Sequence, residues 1–266
     1  MATHDNLIDG MKYDSTKTTE YVVLNLKTGH ATRFEVAGAG FFGFHHTNSW
    51  VETDEQGREW IVAHLVTEPD ASIFHSLSYE KLQNGSAVDE MCIDGNLQEL
   101  RVPLWSIKTE ATGAQAGFSV VNGVERTEFV AHEKATLTPI SDTMVEAPRI
   151  NDLFYWNKSY SFVYGWHATR KGNHPNTIAK INVEDGSSKL WSEHDNLYGV
   201  MMGEAVFVPA PGSTAEDDGV LVAAGLHIES ERAFVLILNA TSMQEIARAY
   251  ANTHITFGFH SMFIAA

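Results

Sequence analysis

Two histidines close the same tetrapeptide. FGFH occurs at residues 42–45 and again at 257–260, ending on His45 and His260. A neutral imidazole can give one ring nitrogen to a metal, and its other N–H then needs an acceptor that fixes the tautomer and the ring angle. Glu146 in VEAPRIN and Glu204 in MMGEAVFVP are residues of the right type for that task. The chain holds 13 histidines, and one on an aromatic strand is more often an ordinary core or surface residue than a ligand, so position must select among them. Two imidazoles also do not complete a catalytic site, where a divalent metal usually has at least three protein ligands. His46 follows His45 and so points to the opposite face of a strand, where we read it as packing.

The elements that must carry these residues are strands. Residues 21–36, YVVLNLKTGHATRFEV, read as a hairpin around Lys27-Thr28-Gly29; residues 179–191 repeat the plan around Glu184-Asp185-Gly186, and 234–250 repeat it after Asn239. In the third unit the arm QEIARAY also has helical spacing, but strand is the reading we adopt. The Asn that closes each first arm precedes a polar residue by a similar count: Asn25 leads His45 by 20 residues, Asn182 leads Glu204 by 22 and Asn239 leads His260 by 21. A hairpin at 119–130 with Asn122-Gly123 as its turn places Glu146 at 24 residues, a looser match. Residues 100–107 read as a further strand and 86–92 as the best candidate for a short helix. Hairpins followed at fixed spacing by a strand with an inward polar group are the pattern of β-propeller blades, whose innermost strands converge on one axis. About four blades fit this length, so the expectation is an all-β partial propeller over 21–266 behind a polar leader at 1–20.

Composition removes several classes. The net charge of −16 repels phosphate backbones and anionic headgroups, so nucleic acid is a poor partner. A single cysteine, Cys92, closes no intramolecular disulfide, and the polar first residues lack a secretory signal, which together suggest the cytosol. The N-x-S/T triplets at Asn84, Asn157 and Asn239 are then chance. No G-x-S-x-G, P-loop or Cys-rich zinc signature is present. The acidic run Glu216-Asp217-Asp218-Gly219 lacks the alternating spacing of a calcium loop.

In order along the chain, FHHTNSW, VEAPRIN, GEAVFVPAPGSTAEDDGVLV, LILNATSMQEIARA and FGFHSMF resemble the signature segments of the carotenoid cleavage oxygenase family, from about Tyr21 onward. The resemblance implies a seven-bladed propeller with a non-haem Fe(II) on its axis, held by four histidines of which three are oriented by glutamates. It implies splitting of a polyene double bond with O2 into aldehyde or ketone products or, in one branch, isomerisation of a retinyl ester. His45 then corresponds to the third ligand and His260 to the fourth, with Glu146 serving His45 and Glu204 serving His260. Phe44 and Phe259 would shape the apolar substrate tunnel, and the acidic run would be a turn between strands.

The departures matter as much. Members run to about twice this length, and their first two histidines and first glutamate fall in an N-terminal half that this chain does not contain. His4, in the leader, and His30, at an exposed hairpin turn, are no substitutes. Val51 stands where many members have an acidic residue, His64 replaces an Asp, and Ala205 replaces the usual Pro after the glutamate. The expectation is weak iron binding and weak or no activity alone, with the family's membrane-dipping segments mostly outside the chain. The alternative is a non-catalytic partial propeller that binds an apolar ligand or, through exposed blade edges, a partner chain or a second copy.

Overall fold

Three asparagines shape the three repeated hairpins. Asn25 Oδ1 accepts the N–H groups of Lys27 (3.0 Å) and Thr28 (3.1 Å), Asn182 Oδ1 that of Glu184 (2.9 Å), and Asn239 Oδ1 those of Thr241 (3.0 Å) and Ser242 (2.8 Å). Each is an Asx turn, the local bond that makes Asn a turn residue. The carbonyl of the same Asn accepts from the residue four positions on, Gly29, Gly186 or Met243, at 2.8 to 2.9 Å. All three sit at left-handed φ, 74°, 72° and 62°. Glycine has no steric cost there. Met243 does, but it is 4% exposed and packs into the core with Leu238 and Ala240.

The computed structural model describes residues 14, 16–38, 40–73, 94–109, 116–121, 124–130, 133–169, 174–193, 199–253, 255, 258 and 260–264. They form four four-stranded sheets. The first joins β1 (Glu20–Leu24) and β2 (Ala31–Glu35) to β7 (Val124–Val130) and β6 (Ala116–Val121), with β2 and β7 parallel. The second runs β3 (Phe42–Thr53), β4 (Glu59–Glu68), β5 (Asn96–Val102) and β8 (Thr136–Met144). The third and fourth are antiparallel meanders, β9 (Glu146–Arg149) to β12 (Ser188–Ser192) through β10 (Phe162–His167) and β11 (Thr177–Asn182), and β13 (Val200–Pro209) to β16 (Glu245–Tyr250) through β14 (Gly219–His227) and β15 (Arg232–Asn239). Strand β9 lies against both β3 and β13, so the first strands of three successive sheets meet at the inner edge. The architecture is a partial β-propeller.

The recurrent spacing now has a cause. The hairpins β11–β12 and β15–β16 are the outer pairs of their blades, and β1–β2 is flanked by β7. From each the chain returns to the inner edge of the next: β1–β2 leads to β3, β11–β12 to β13, and β15–β16 to the segment that carries His260. The spacing from Asn122 to Glu146 has no such cause. The β6–β7 hairpin belongs to the first sheet, and β8 intervenes before β9.

Apolar clusters fill the seams between sheets. Phe34, Leu65 and Leu100 pack between the first and second, Val66, Leu97, Val163 and Ile181 between the second and third, and Ile178, Phe207, Leu221 and Leu236 between the third and fourth. Each fully buried side chain of this size stabilises the fold by roughly 1.5–3 kcal/mol before entropy is counted. Strands β4 and β13 are therefore buried on both faces, over seven and eight consecutive residues.

Two expectations need comment. Residues 100–107 are not one strand: β5 ends at Val102, Pro103 cannot continue the ladder, and Leu104–Thr109 form helix α1. The expected helix at 86–92 lies outside the described residues. A second short helix, α2 (Asp152–Tyr155), follows β9. The arm QEIARAY is strand β16. Among the described residues no helix is long and apolar enough to cross a membrane.

Candidate metal centre

Strand β3 presents His45 and the start of β9 presents Glu146. The imidazole Nδ1 of His45 lies 2.6 Å from Glu146 Oε2, with the carboxylate completely buried and the ring 20% exposed. The same Oε2 accepts the backbone N–H of Ala147 at 2.8 Å. Ala147 adopts φ 46°, a sparsely populated region for a residue with a Cβ. Strained backbone of this kind clusters at functional sites, and here it directly follows the carboxylate that meets the histidine.

The second pair forms between β13 and the segment after β16. His260 Nδ1 lies 3.2 Å from Glu204 Oε1, and the N–H of Ser261 donates to Glu204 Oε2 at 2.8 Å. Arg149 reaches the same Oε2 at 3.4 Å and Asp152 Oδ2 at 3.2 Å. Glu204 is 2% exposed, whereas the His260 ring is 60% exposed. Gly203 makes the crossing feasible: a Cβ there would stand 3.0 Å from the carbonyl oxygen of Gly258 and 3.1 Å from that of Ala224.

The two imidazoles come together from positions 45 and 260 with ring centroids 5.2 Å apart and planes at 74°. A ring bound at a nitrogen–metal distance of about 2.1 Å has its centroid about 3.3 Å from the ion, so two rings on one ion at 90–110° are roughly 4.6–5.4 Å apart. The observed separation fits. Because both Nδ1 atoms face carboxylates, Nε2 is the nitrogen each ring would offer to a metal. Among the described residues no group of three or more His, Cys, Asp or Glu gathers as a metal site; the donors they bring together here are the two imidazoles.

Phe44 packs on the His45 ring at 4.3 Å and on Phe42 at 6.3 Å; Phe259 lies outside the described residues, as does His4. His30 is exposed. His46 is bonded through Nε2 to the Tyr21 hydroxyl at 2.9 Å, away from the pair. His64 is buried between the Tyr160 hydroxyl (2.6 Å from Nδ1) and Glu99 (3.4 Å from Nε2), with Trp50 edge-on. It ties β4 and β5 to the loop before β10. Val51 is exposed, and Ala205 is fully buried opposite Ala223. The acidic run is a turn: Glu216 accepts the N–H groups of Ser161 and Phe162, and Asp217 takes the Lys180 ammonium at 2.6 Å. Sequence reasoning missed Arg149, though VEAPRIN contains it, and it missed Glu68, a buried carboxyl at the end of β4 beside Glu146.

The model of the retinal pigment epithelial membrane protein (RPE65) family matches residues 2–265, and the chain belongs to this family of carotenoid cleavage oxygenases. A carotenoid dioxygenase of Neurospora crassa is 28% identical over 266 residues, covering 96% of this chain and 41% of the relative. A torulene dioxygenase of Fusarium fujikuroi is 25% identical over 268 residues, covering 98% and 44%. Among solved structures, a cobalt-substituted Synechocystis apocarotenoid oxygenase superposes with a TM-score of 0.65 at 21% identity, over 94% of this chain and 44% of that one. The chain thus spans less than half the length of these relatives, and the structural likeness establishes the propeller fold.

Proposed function

We propose that this chain supplies half of the iron centre of an oxygenase that splits a polyene double bond with O2, one oxygen atom going to each carbon of the broken bond. The observation that carries this reading is the His45–His260 pair, 5.2 Å between centroids, with each Nδ1 on a buried glutamate. His45 and His260 would hold Fe(II) through Nε2, while Glu146 and Glu204 keep each ring in the Nδ1–H tautomer and fix its angle. Fe(II), when bound, supplies the redox chemistry that activates O2. Phe44 would form part of the apolar wall that receives the polyene, whether carotenoid, apocarotenoid or retinoid. The single cysteine supports a reducing, cytosolic setting.

Two imidazoles hold a divalent ion weakly, so we expect the isolated chain to retain less than one iron per molecule and to be weakly active or inactive. Anaerobic equilibrium dialysis against Fe(II) tests the ligand count, and tight binding of one iron per chain overturns it. Joining the chain to the preceding residues of a carotenoid dioxygenase relative should restore polyene bleaching with aldehyde formation, and His45→Ala or His260→Ala should abolish it. If both substitutions leave cleavage intact, the reading fails.

One observation favours the second reading, an apolar ligand or partner bound without catalysis. A cavity of about 220 Å³ opens on the last sheet between Phe234, Val235, Tyr250 and Ile255, and Met262, Phe263 and Ile264 are more than half exposed. Size-exclusion chromatography separates the readings: a clean monomer argues against exposed apolar edges that recruit another chain.

A further inference from the structure

The fourth sheet is apolar on both sides. One face packs on the third sheet through Leu221, Phe234 and Leu236, and among the described residues no sheet packs on the other. The pairing register places two rows of side chains on that other face: Val206, Val222, Ile237 and Ala247 in the first, and Ala224, Val235 and Ala249 in the second. An antiparallel sheet with one face in water alternates apolar and polar residues along its strands, but neither row holds a polar side chain. Val235 is 42% exposed, Ala224, Ala247 and Ala249 are exposed, and Val222 and Ile237 are half-buried. Ile255 and Gly258 stand over one end, where they line the cavity of about 220 Å³ with Ala224, Val235 and Ala249. A contiguous apolar surface of this kind marks an interaction site.

The other end of the row of sheets is built differently. The outward face of the first sheet carries Glu20, Arg33 and Glu35, held in the pairs Arg33–Glu20 at 2.9 Å and Lys134–Glu35 at 2.8 Å. A head-to-tail contact, first sheet of one copy on fourth sheet of the next, would take these charges out of water against an apolar wall that offers them no partner. Two copies of the fourth sheet set apolar on apolar instead, and a two-fold axis makes one patch complementary to itself. The size is sufficient. The four strands are six to ten residues long. At about 4.8 Å between strands and about eight residues of 3.4 Å, the face measures roughly 500 Å². Two copies then bury roughly 1,000 Å², the lower bound of a specific interface.

We propose that the outward face of the fourth sheet is the interface of a two-fold symmetric homodimer, with Val222, Val235 and Ile237 on its central strands. This rests on the non-catalytic reading and names its partner as a second copy; it does not depend on the iron centre. The net charge of −16 on each copy opposes association, and salt screens that repulsion. The dimer should therefore tighten as salt rises.

The test is size-exclusion chromatography with light scattering on the whole chain, across the micromolar range and at low and high salt. The wild type should shift from the mass of one chain to that of two as concentration and salt increase. Ile237→Lys, which places an unpaired ammonium between the sheets, should weaken dimerisation by about tenfold or more, with the β-sheet circular dichroism retained. Val22→Lys, on the outward face of the first sheet, should leave it unchanged. If Ile237→Lys does not fold, Val235→Lys decides, since that position is already exposed. A monomer under all conditions overturns the proposal, as do oligomers that grow beyond two or a dimer lost in Val22→Lys, which marks a head-to-tail contact. A dimer that survives the lysine on the fourth sheet sinks this face and leaves the non-catalytic reading standing, with its partner bound elsewhere.

Discussion

Arg149 lies 3.4 Å from Glu204 Oε2, so the strand that presents Glu146 to His45 also grips the carboxylate that serves His260. Both histidine supports are thereby referred to one four-residue strand, β9. Arg149→Met should lower apparent Co(II) affinity about tenfold, the lower range for loss of an outer partner. Arg149→Lys should recover part of it, since a point charge replaces the planar fork. Titration calorimetry checks both, and equal affinities for wild type and Arg149→Met would falsify the coupling.

Gly203 is the residue whose enlargement should remove His260 while sparing the blades. A side chain there meets the Gly258 and Ala224 carbonyl oxygens at 3.0–3.1 Å, and Ala224 is held in the β14 ladder whereas Gly258 belongs to no strand. We expect Gly203→Val to keep the β-sheet circular dichroism of the wild type and to weaken Co(II) binding to the level of His260→Ala. Wild-type affinity in that variant would count against the crossing geometry.

The raised carboxyl of Glu68 makes stability depend on pH. Between the ordinary value of 4.5 and about 8, the folded chain holds a proton that the unfolded chain has released. This contribution is present in full below 4.5 and is lost as pH climbs through 8, at no more than about 1.4 kcal/mol per pH unit. Urea melts at pH 5, 6, 7 and 8 should show wild-type stability falling relative to Glu68→Gln across that range. A difference that grows in the opposite direction would contradict the assignment of the proton.

Met243 sets a strained backbone against packing. Glycine at φ 62° would relieve about 1 kcal/mol, but removing a buried Met side chain costs about 2–5 kcal/mol. Packing is the larger effect. Met243→Gly should therefore destabilise the chain by about 1–4 kcal/mol in urea unfolding, and an increase in stability would show that the turn geometry dominates.

The fold was legible because its hairpins carry local chemistry. Asn25, Asn182 and Asn239 advertise their turns, and the return to the inner edge takes a nearly constant number of residues, which is why His45, Glu204 and His260 could be picked from spacing. Glu146 was chosen rightly as a neighbour of His45 for a partly wrong reason, since the spacing from Asn122 crosses two sheets. The boundary at Pro103 was missed because apolar residues continue through it into α1. Glu68 left no local signal: in VTEPD it resembles any solvated strand end, yet it is 3% exposed, close to Gly95 and beside Glu146 from a strand 78 residues further on. Arg149 sat inside a quoted motif, but its grip on Glu204 joins two sheets and has no counterpart in local sequence.

Glu204 fastens the late chain with the same carboxylate that aims the imidazole, one oxygen to the His260 ring and the other to the Ser261 backbone. Aim and attachment are then a single event. An ion captured at that ring would work as a clasp, and its departure would loosen the strap over β13, so metal loading should be readable from outside as resistance of residues 258–261 to a protease.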